Sequence, residues 1–253
     1  MGFTIGSGLR EVRELRLVTG RPRRARRGGH APQATAAAEY TARWGWDVRP
    51  GARARRFPGG RVECSCGADC GAPGAHPLPA GEVIPAGSSP AQAVRAWTRT
   101  PGAAVLLPTG RMFDVIEVPA GAGRRALLRM ERMGLPLGPV AESPAGRMWF
   151  FVAPGAAGEV PRLQHRMGWP DGLPDRLGLR VLGPGCHVPA PPSDHGGRGH
   201  VRWLRPPSPE AAARPPQARL LLGALAYACH TRAGTGGAPP HGPPLGPLVG
   251  PRG

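Results

Sequence analysis

The sequence predicts an α+β domain, on three observations. Four segments carry helical character, at 34–46, 89–98, 121–133 and 217–230. Seven short runs rich in β-branched and aromatic residues read as strands, at 103–108, 112–119, 139–143, 147–154, 177–182, 186–192 and 200–204. Their order is helix, helix, paired strands, helix, then several strands and a last helix, not the strict alternation of a parallel sheet. With 253 residues there is room for one sizeable domain or two small ones, and 40 Gly and 34 Pro require part of the chain to be loop.

Residues 1–33 hold eight Arg between positions 10 and 27 and read as a solvated, disordered tail, although such a run also grips phosphates without sequence preference. The helix at 34–46 has Thr35 as its cap and Gly45 as its stop. Residues 50–62 form a basic loop, and the Gly/Pro-rich segment after it has no regular element. Ser89-Pro90 opens the second helix and Pro101 stops it. AAVLLP and MFDVIEVP read as two strands separated by PTGR, and GAGRRALLRMERM has apolar residues at helical spacing. A hairpin turns at Pro144-Ala145-Gly146, its second strand carrying Trp149, Phe150 and Phe151 into the core. Three more strands follow, the middle one including Cys186. Ser193 to Gly197 is a turn. The last helix starts after Pro215-Pro216 and puts Cys229 on its apolar face, and the chain from 232 reads as a disordered Gly/Pro-rich tail. The expected organisation is a tail at 1–33, one domain at 34–231 and a tail at 232–253.

The formal net charge is +17 and all 33 basic residues are Arg. Such a balance suits phosphate contacts with nucleic acid. A coding bias toward Arg, Gly, Pro and Ala produces the same profile in unrelated proteins, so the charge alone decides nothing. No secretory signal, myristoylation signal or membrane-spanning stretch is legible, and a cytoplasmic protein with reduced thiols is the expectation.

The segment CSCGADCGAPGAH places Cys64, Cys66, Cys70 and His76 in the spacing C-x-C-x3-C-x5-H. Four nitrogen and sulfur ligands of this kind make a closed tetrahedral zinc site of the structural sort, and the glycines around them allow a tight loop. The bland alternatives are three ordinary cysteines or a disulfide. No general base lies within the segment, so the metal is expected to serve folding rather than catalysis.

Several pieces line up in order: CSCGADCGAPGAHP at 64–77, a helix ending in AWTRTP, LLPTG at 106–110, FDVIEVP at 113–119, ESPAGRMWFF at 142–151, LGLRVLGPGCHVPAPPS at 177–193 and HVRWL at 200–204. Together they resemble the N-terminal domain of bifunctional DNA primase/polymerases, the prim-pol branch of the archaeo-eukaryotic primases, over about residues 34–205. The resemblance implies an RRM-like α/β core with a zinc-binding loop insertion at 62–78. It also implies template-directed joining of nucleotides with two divalent ions, Mg2+ or Mn2+, held by carboxylates.

The chain departs from that pattern at each catalytic point. Glu117 stands where the first acid of an Asp-x-Asp pair belongs, and Pro119 where the second belongs. Asp114 is a weaker candidate acid, because three residues along a strand put it on the opposite face from Glu117. Met148 takes the expected histidine position after Arg147, and Gly178 the position of the third acid. Arg147, Ser193, His195, Arg198 and Arg202 are the candidate nucleic-acid or nucleotide contacts, with Trp203 either stacking a base or packing in the core. For the Arg residues the plain alternative is a solvated sheet edge.

Three functions are therefore expected in order: a catalytically degenerate prim-pol-like module that binds DNA, RNA or nucleotides in replication or its regulation; an active primase/polymerase using Glu117 with another acid such as Glu142; and a zinc-stabilised adaptor for another protein. Replication proteins on other chains would be partners of the first two.

Overall fold

The computed structural model describes residues 32–233 except 68, 69 and 80. The two expected tails fall outside these residues save for 32–33 and 232–233, which are helical.

The chain begins with α1 (Pro32–Ala42), two residues earlier than expected, so Thr35 lies inside the helix rather than capping it. Gly45, at φ +63°, turns the chain and delivers Trp46 fully buried into the core. The expected basic loop is instead three short strands, β1 (Arg49–Gly51), β2 (Ala54–Arg56) and β3 (Val62–Cys64), so the cysteine segment starts on a strand. Helix α2 (Pro90–Arg99) opens at Ser89-Pro90 as the sequence predicts, and Ser89 and Gln92 also cap each other reciprocally.

Next come β4 (Ala104–Pro108) and β5 (Asp114–Pro119). They do not pair with each other. β4 lies between β1 and β9 (His187–Pro189) in a three-stranded sheet, whereas β5 belongs to a five-stranded sheet. Gly110, at φ +103°, makes the crossing, and Pro184 packs so close that a Cβ there would sit 2.5 Å from its Cα. Such a contact between sheets leaves no trace in local sequence.

The five-stranded sheet is built from β5, α3 (Ala120–Arg132), β6 (Val140–Ser143), β7 (Arg147–Val152), α4 (Ala156–Arg166), α5 (Leu173–Leu177), β8 (Arg180–Leu182) and β10 (Arg202–Arg205). Its spatial order is β10-β6-β7-β5-β8, with every neighbour antiparallel. The run β5-α3-β6-β7-α4-β8 in the order β6-β7-β5-β8 is a split βαβ pattern. Helices α4 and α5 are unforeseen in the sequence, since Pro161 interrupts the first. Leu177 ends α5 and Gly178 caps it in the left-handed region, so the strand expected at 177 begins only at Arg180. Cys186 precedes β9 rather than lying in it. A short α6 (Pro209–Ala213), also unforeseen, leads to α7 (Ala218–Ala233).

The sheet is the middle layer. On one face Ile116, Val118, Met148 and Phe150 pack under α3, α4 and α7. On the other, Val115, Trp149 and Phe151 pack against α1, α2, β4 and β9. Trp46 stacks on Phe151 at 5.5 Å, and Phe151 lies 5.4 Å from Trp203. The Trp203 indole donates to the Tyr40 hydroxyl at 3.1 Å, so Trp203 packs in the core. The second core ends at Val115 and Trp149, and the ends of β5 and β7 beyond them carry the candidate site.

Candidate functional site

Alternation along β5 sends Glu117 to the face of Val115, toward the N-terminal layer, and Asp114 to the face of Ile116, under the helices. Asp114 is fully buried there; its Oδ2 accepts from Ala157 N–H at 3.0 Å, at the start of α4, and its Oδ1 has no partner. The two acids therefore cannot hold one ion between them.

Strand pairing sets what surrounds Glu117. Trp149 stands opposite it on β7 and Arg180 opposite it on β8. Glu117 is 8% exposed and both of its oxygens are engaged: Oε2 accepts from the Trp149 indole N–H at 2.8 Å, Oε1 from Arg147 at 2.9 Å. Arg180 approaches Oε1 at 3.9 Å. Arg147 also donates to the Gly178 carbonyl at 2.6 Å. A Cβ on Gly178, whose φ is +64°, would lie 3.1 Å from Pro119 and 3.4 Å from the Arg147 guanidinium. The three positions that the sequence resemblance assigns to metal-holding acids, 117, 119 and 178, thus do converge. They converge on an arginine. With one carboxylate, already neutralised, these residues do not fit a pair of divalent ions.

Met148 points to the helical face, where a Cβ on Gly123 would lie 2.7 Å from its sulfur. The histidine on the Glu117 side is His195, from the loop before β10. Its Nδ1 lies 2.6 Å from the Ser143 hydroxyl and its ring 5.6 Å from Trp149. Burial holds this imidazole below its usual value, against the weaker pull of Glu117 and Asp194.

The loop itself is tied down. Ser193 is buried, and its hydroxyl accepts from Val105 N–H at 2.7 Å and donates to the Val105 carbonyl at 3.3 Å, fastening the loop to β4. Asp194 accepts from Gly197 N–H at 2.6 Å and Gly199 N–H at 3.0 Å. Arg198 is exposed at the loop tip. Arg202 does not join Arg147: it pairs across β6 with Glu142 at 2.6 Å, on the helical face, where Arg124 of α3 holds the other Glu142 oxygen. Glu142, 4% exposed, is thereby a clasp between β6, β10 and α3, on the face away from Glu117.

Cys64, Cys66, Cys70 and His76 form the other cluster; one ligand atom from each lies within 4.8 Å of all the others. His76 Nδ1 is 3.0 Å from the Pro77 carbonyl, which fixes the tautomer and leaves Nε2 facing Cys64 Sγ at 3.3 Å. The donor set and its arrangement fit a zinc ion held by Cys64, Cys66, Cys70 and His76. Among the described residues no other group of three or more such ligands converges. The knuckle reaches the candidate site: Gly196 N–H donates to the Pro73 carbonyl at 3.0 Å, and a Cβ on Gly74 would meet the Asp194 carbonyl at 3.0 Å.

Trp149, Ser143 and Arg180 are the site residues that sequence reasoning missed as such. The pairing register of β5 with β7 and β8 reveals Trp149 and Arg180, and the contact with His195 reveals Ser143. No described helix is long and apolar enough to cross a membrane. Comparison with curated proteins and with solved structures returned no match. The family model for the N-terminal domain of bifunctional DNA primase/polymerases, Prim-Pol, matches residues 37–218. With the match spanning most of the described residues, the chain belongs to the Prim-Pol family.

Proposed function

We infer that this is a prim-pol domain in which metal-dependent nucleotidyl transfer has given way to binding of DNA, RNA or nucleotides, in replication or its regulation. The split βαβ order of the five-stranded sheet supports an RRM-like core. The observation that carries the loss of catalysis is the Arg147 guanidinium, bonded at once to Glu117 and Gly178 where the resemblance calls for cations held by acids. Family membership places the chain among DNA primase/polymerase-type proteins, whose substrates are nucleotides and nucleic acid. Arg147, Arg180 and His195 remain as positive or hydrogen-bonding groups around Glu117, and Arg198 is exposed on the loop that bears His195. They suit a phosphate or a base edge better than a reaction centre.

An active site assembled from Glu117 and Glu142 is opposed by their positions on opposite faces of the sheet. In this reading zinc is structural, Mg2+ and Mn2+ are not cofactors, and any priming chemistry belongs to other replication proteins. The Cys64, Cys66 and Cys70 ligand set suits a reducing, cytoplasmic setting.

The test offers primed and unprimed templates with nucleotides, in Mg2+ and then Mn2+, alongside a binding assay on labelled single-stranded DNA. Binding that weakens with salt, without extension products, is expected. Template-directed product that disappears in Glu117→Ala would overturn the reading.

A further inference from the structure

The geometry points to the β2–β3 ribbon as the arm that carries single-stranded nucleic acid toward the Arg147–His195 face. This rests on the binding function proposed above and adds the surface that performs it. In the ribbon's register Arg55 faces Glu63 and Arg56 faces Val62, so the two sides of the ribbon differ. The side carrying Ala54, Val62 and Cys64 packs inward: a Cβ on Gly197 would lie 2.9 Å from Val62 and 3.5 Å from the Arg56 Cβ. This seats the ribbon against the loop that bears His195 and Arg198, with the zinc knuckle at its base.

The outward side is basic and aromatic. Phe57, half-buried, lies beneath two guanidiniums, with Arg55 4.6 Å and Arg61 5.4 Å from its ring centre. Arg53, Arg55 and Arg61 are exposed, and Glu63, paired with Arg61, is the only acid between positions 48 and 68. A guanidinium over an aromatic ring can present its outer face to an unpaired base and its N–H groups to phosphate, Arg61 exchanging its exposed Glu63 partner for the phosphate. A continuous duplex offers its backbone but not its base faces, which is why the arrangement favours a single strand. The same ribbon made only of solvated charges would need neither the aromatic between its arginines nor the fixed seat against the His195 loop.

The experiment measures the affinity of the full, zinc-loaded chain for labelled oligo-dT across a salt series. Each phosphate contact on a single strand contributes about 0.7 to the slope of log affinity against log salt. R55S/R61S is expected to lower that slope by about 1.4, so that from 50 to 200 mM salt it loses about sevenfold less affinity than wild type does. R132S/R166S, which removes the same charge from exposed ends of α3 and α4, is expected to keep the wild-type slope. R55K/R61K is expected to keep the slope while binding more weakly, because an ammonium cannot stack. Zinc content equal to wild type shows that each variant is folded at the ribbon. A wild-type slope in R55S/R61S overturns the ribbon assignment and leaves the binding function standing. Equal affinity for a duplex of the same length overturns the single-strand assignment. A wild-type chain without salt-dependent binding overturns both the ribbon and the proposed function.

Discussion

Removing the Glu117 side chain distinguishes a structural ion pair from a catalytic acid by the sign of the stability change. Glu117→Ala strands two donors at once. The Trp149 indole N–H, in a side chain almost wholly buried, loses its acceptor at 2.8 Å; an orphaned buried donor costs about 1–3 kcal/mol. Arg147 loses its counter-ion at 2.9 Å while 24% exposed. Breaking a fully buried pair costs about 3–5 kcal/mol, and partial exposure with the surviving Gly178 bond reduces this to about 1–2 kcal/mol. The sum, about 2–5 kcal/mol, is a large part of the 5–15 kcal/mol typical of a folded domain. Urea unfolding of the zinc-loaded protein reads it: with a slope near 2–3 kcal/mol/M, the midpoint falls by about 1–2 M at unchanged slope. Glu117→Gln keeps an acceptor for the indole and is expected to lose less than half as much. A carboxylate kept for metal binding would be under-compensated in the metal-free fold, and its removal would be neutral or stabilising. A Glu117→Ala midpoint at or above wild type would therefore refute the assignment of Glu117 to an ion pair.

Two further outcomes follow from the same contacts. The native protein is expected to hold one zinc per chain. Stripping it, or Cys70→Ser, should raise hydrogen exchange at the Gly196 amide, whose partner is the Pro73 carbonyl in the knuckle; unchanged protection there in the metal-free protein would show that the knuckle does not brace the His195 loop. The second concerns pH. Burial, with Arg49 adding to it, pushes His187 down to about 4, and burial also lowers His195, both below the unfolded value of about 6.5. The unfolded chain then binds more protons in that interval, so the stability these groups support is fully present above about pH 6.5 and is lost as the pH falls toward 4. H187Q/H195N should show a shallower decline from pH 7 to 4.5 than wild type, and parallel curves would contradict the assignment.

What the sequence determined by itself was local. The helix opening at Ser89-Pro90, the hairpin at 144–146, the helices expected at 89–98, 121–133 and 217–230 and the C-x-C-x3-C-x5-H ligand set depend on neighbours within a few residues, and each has about its expected form or position. The departures at 117, 119, 148 and 178 were also legible, because a residue's chemistry needs no neighbour to be read. What the sequence could not determine was register and layer. Whether β4 pairs with β5, whether Arg202 shares a face with Arg147, and which histidine reaches Glu117 depend on pairings between segments tens of residues apart. The period-2 alternation of a strand tells which residues share a face, not which other strand that face will meet. Tertiary structure alone thus decided that the positions expected for acids would gather around the guanidinium of Arg147, and that the knuckle bearing Cys64, Cys66, Cys70 and His76 would hold the loop beside it.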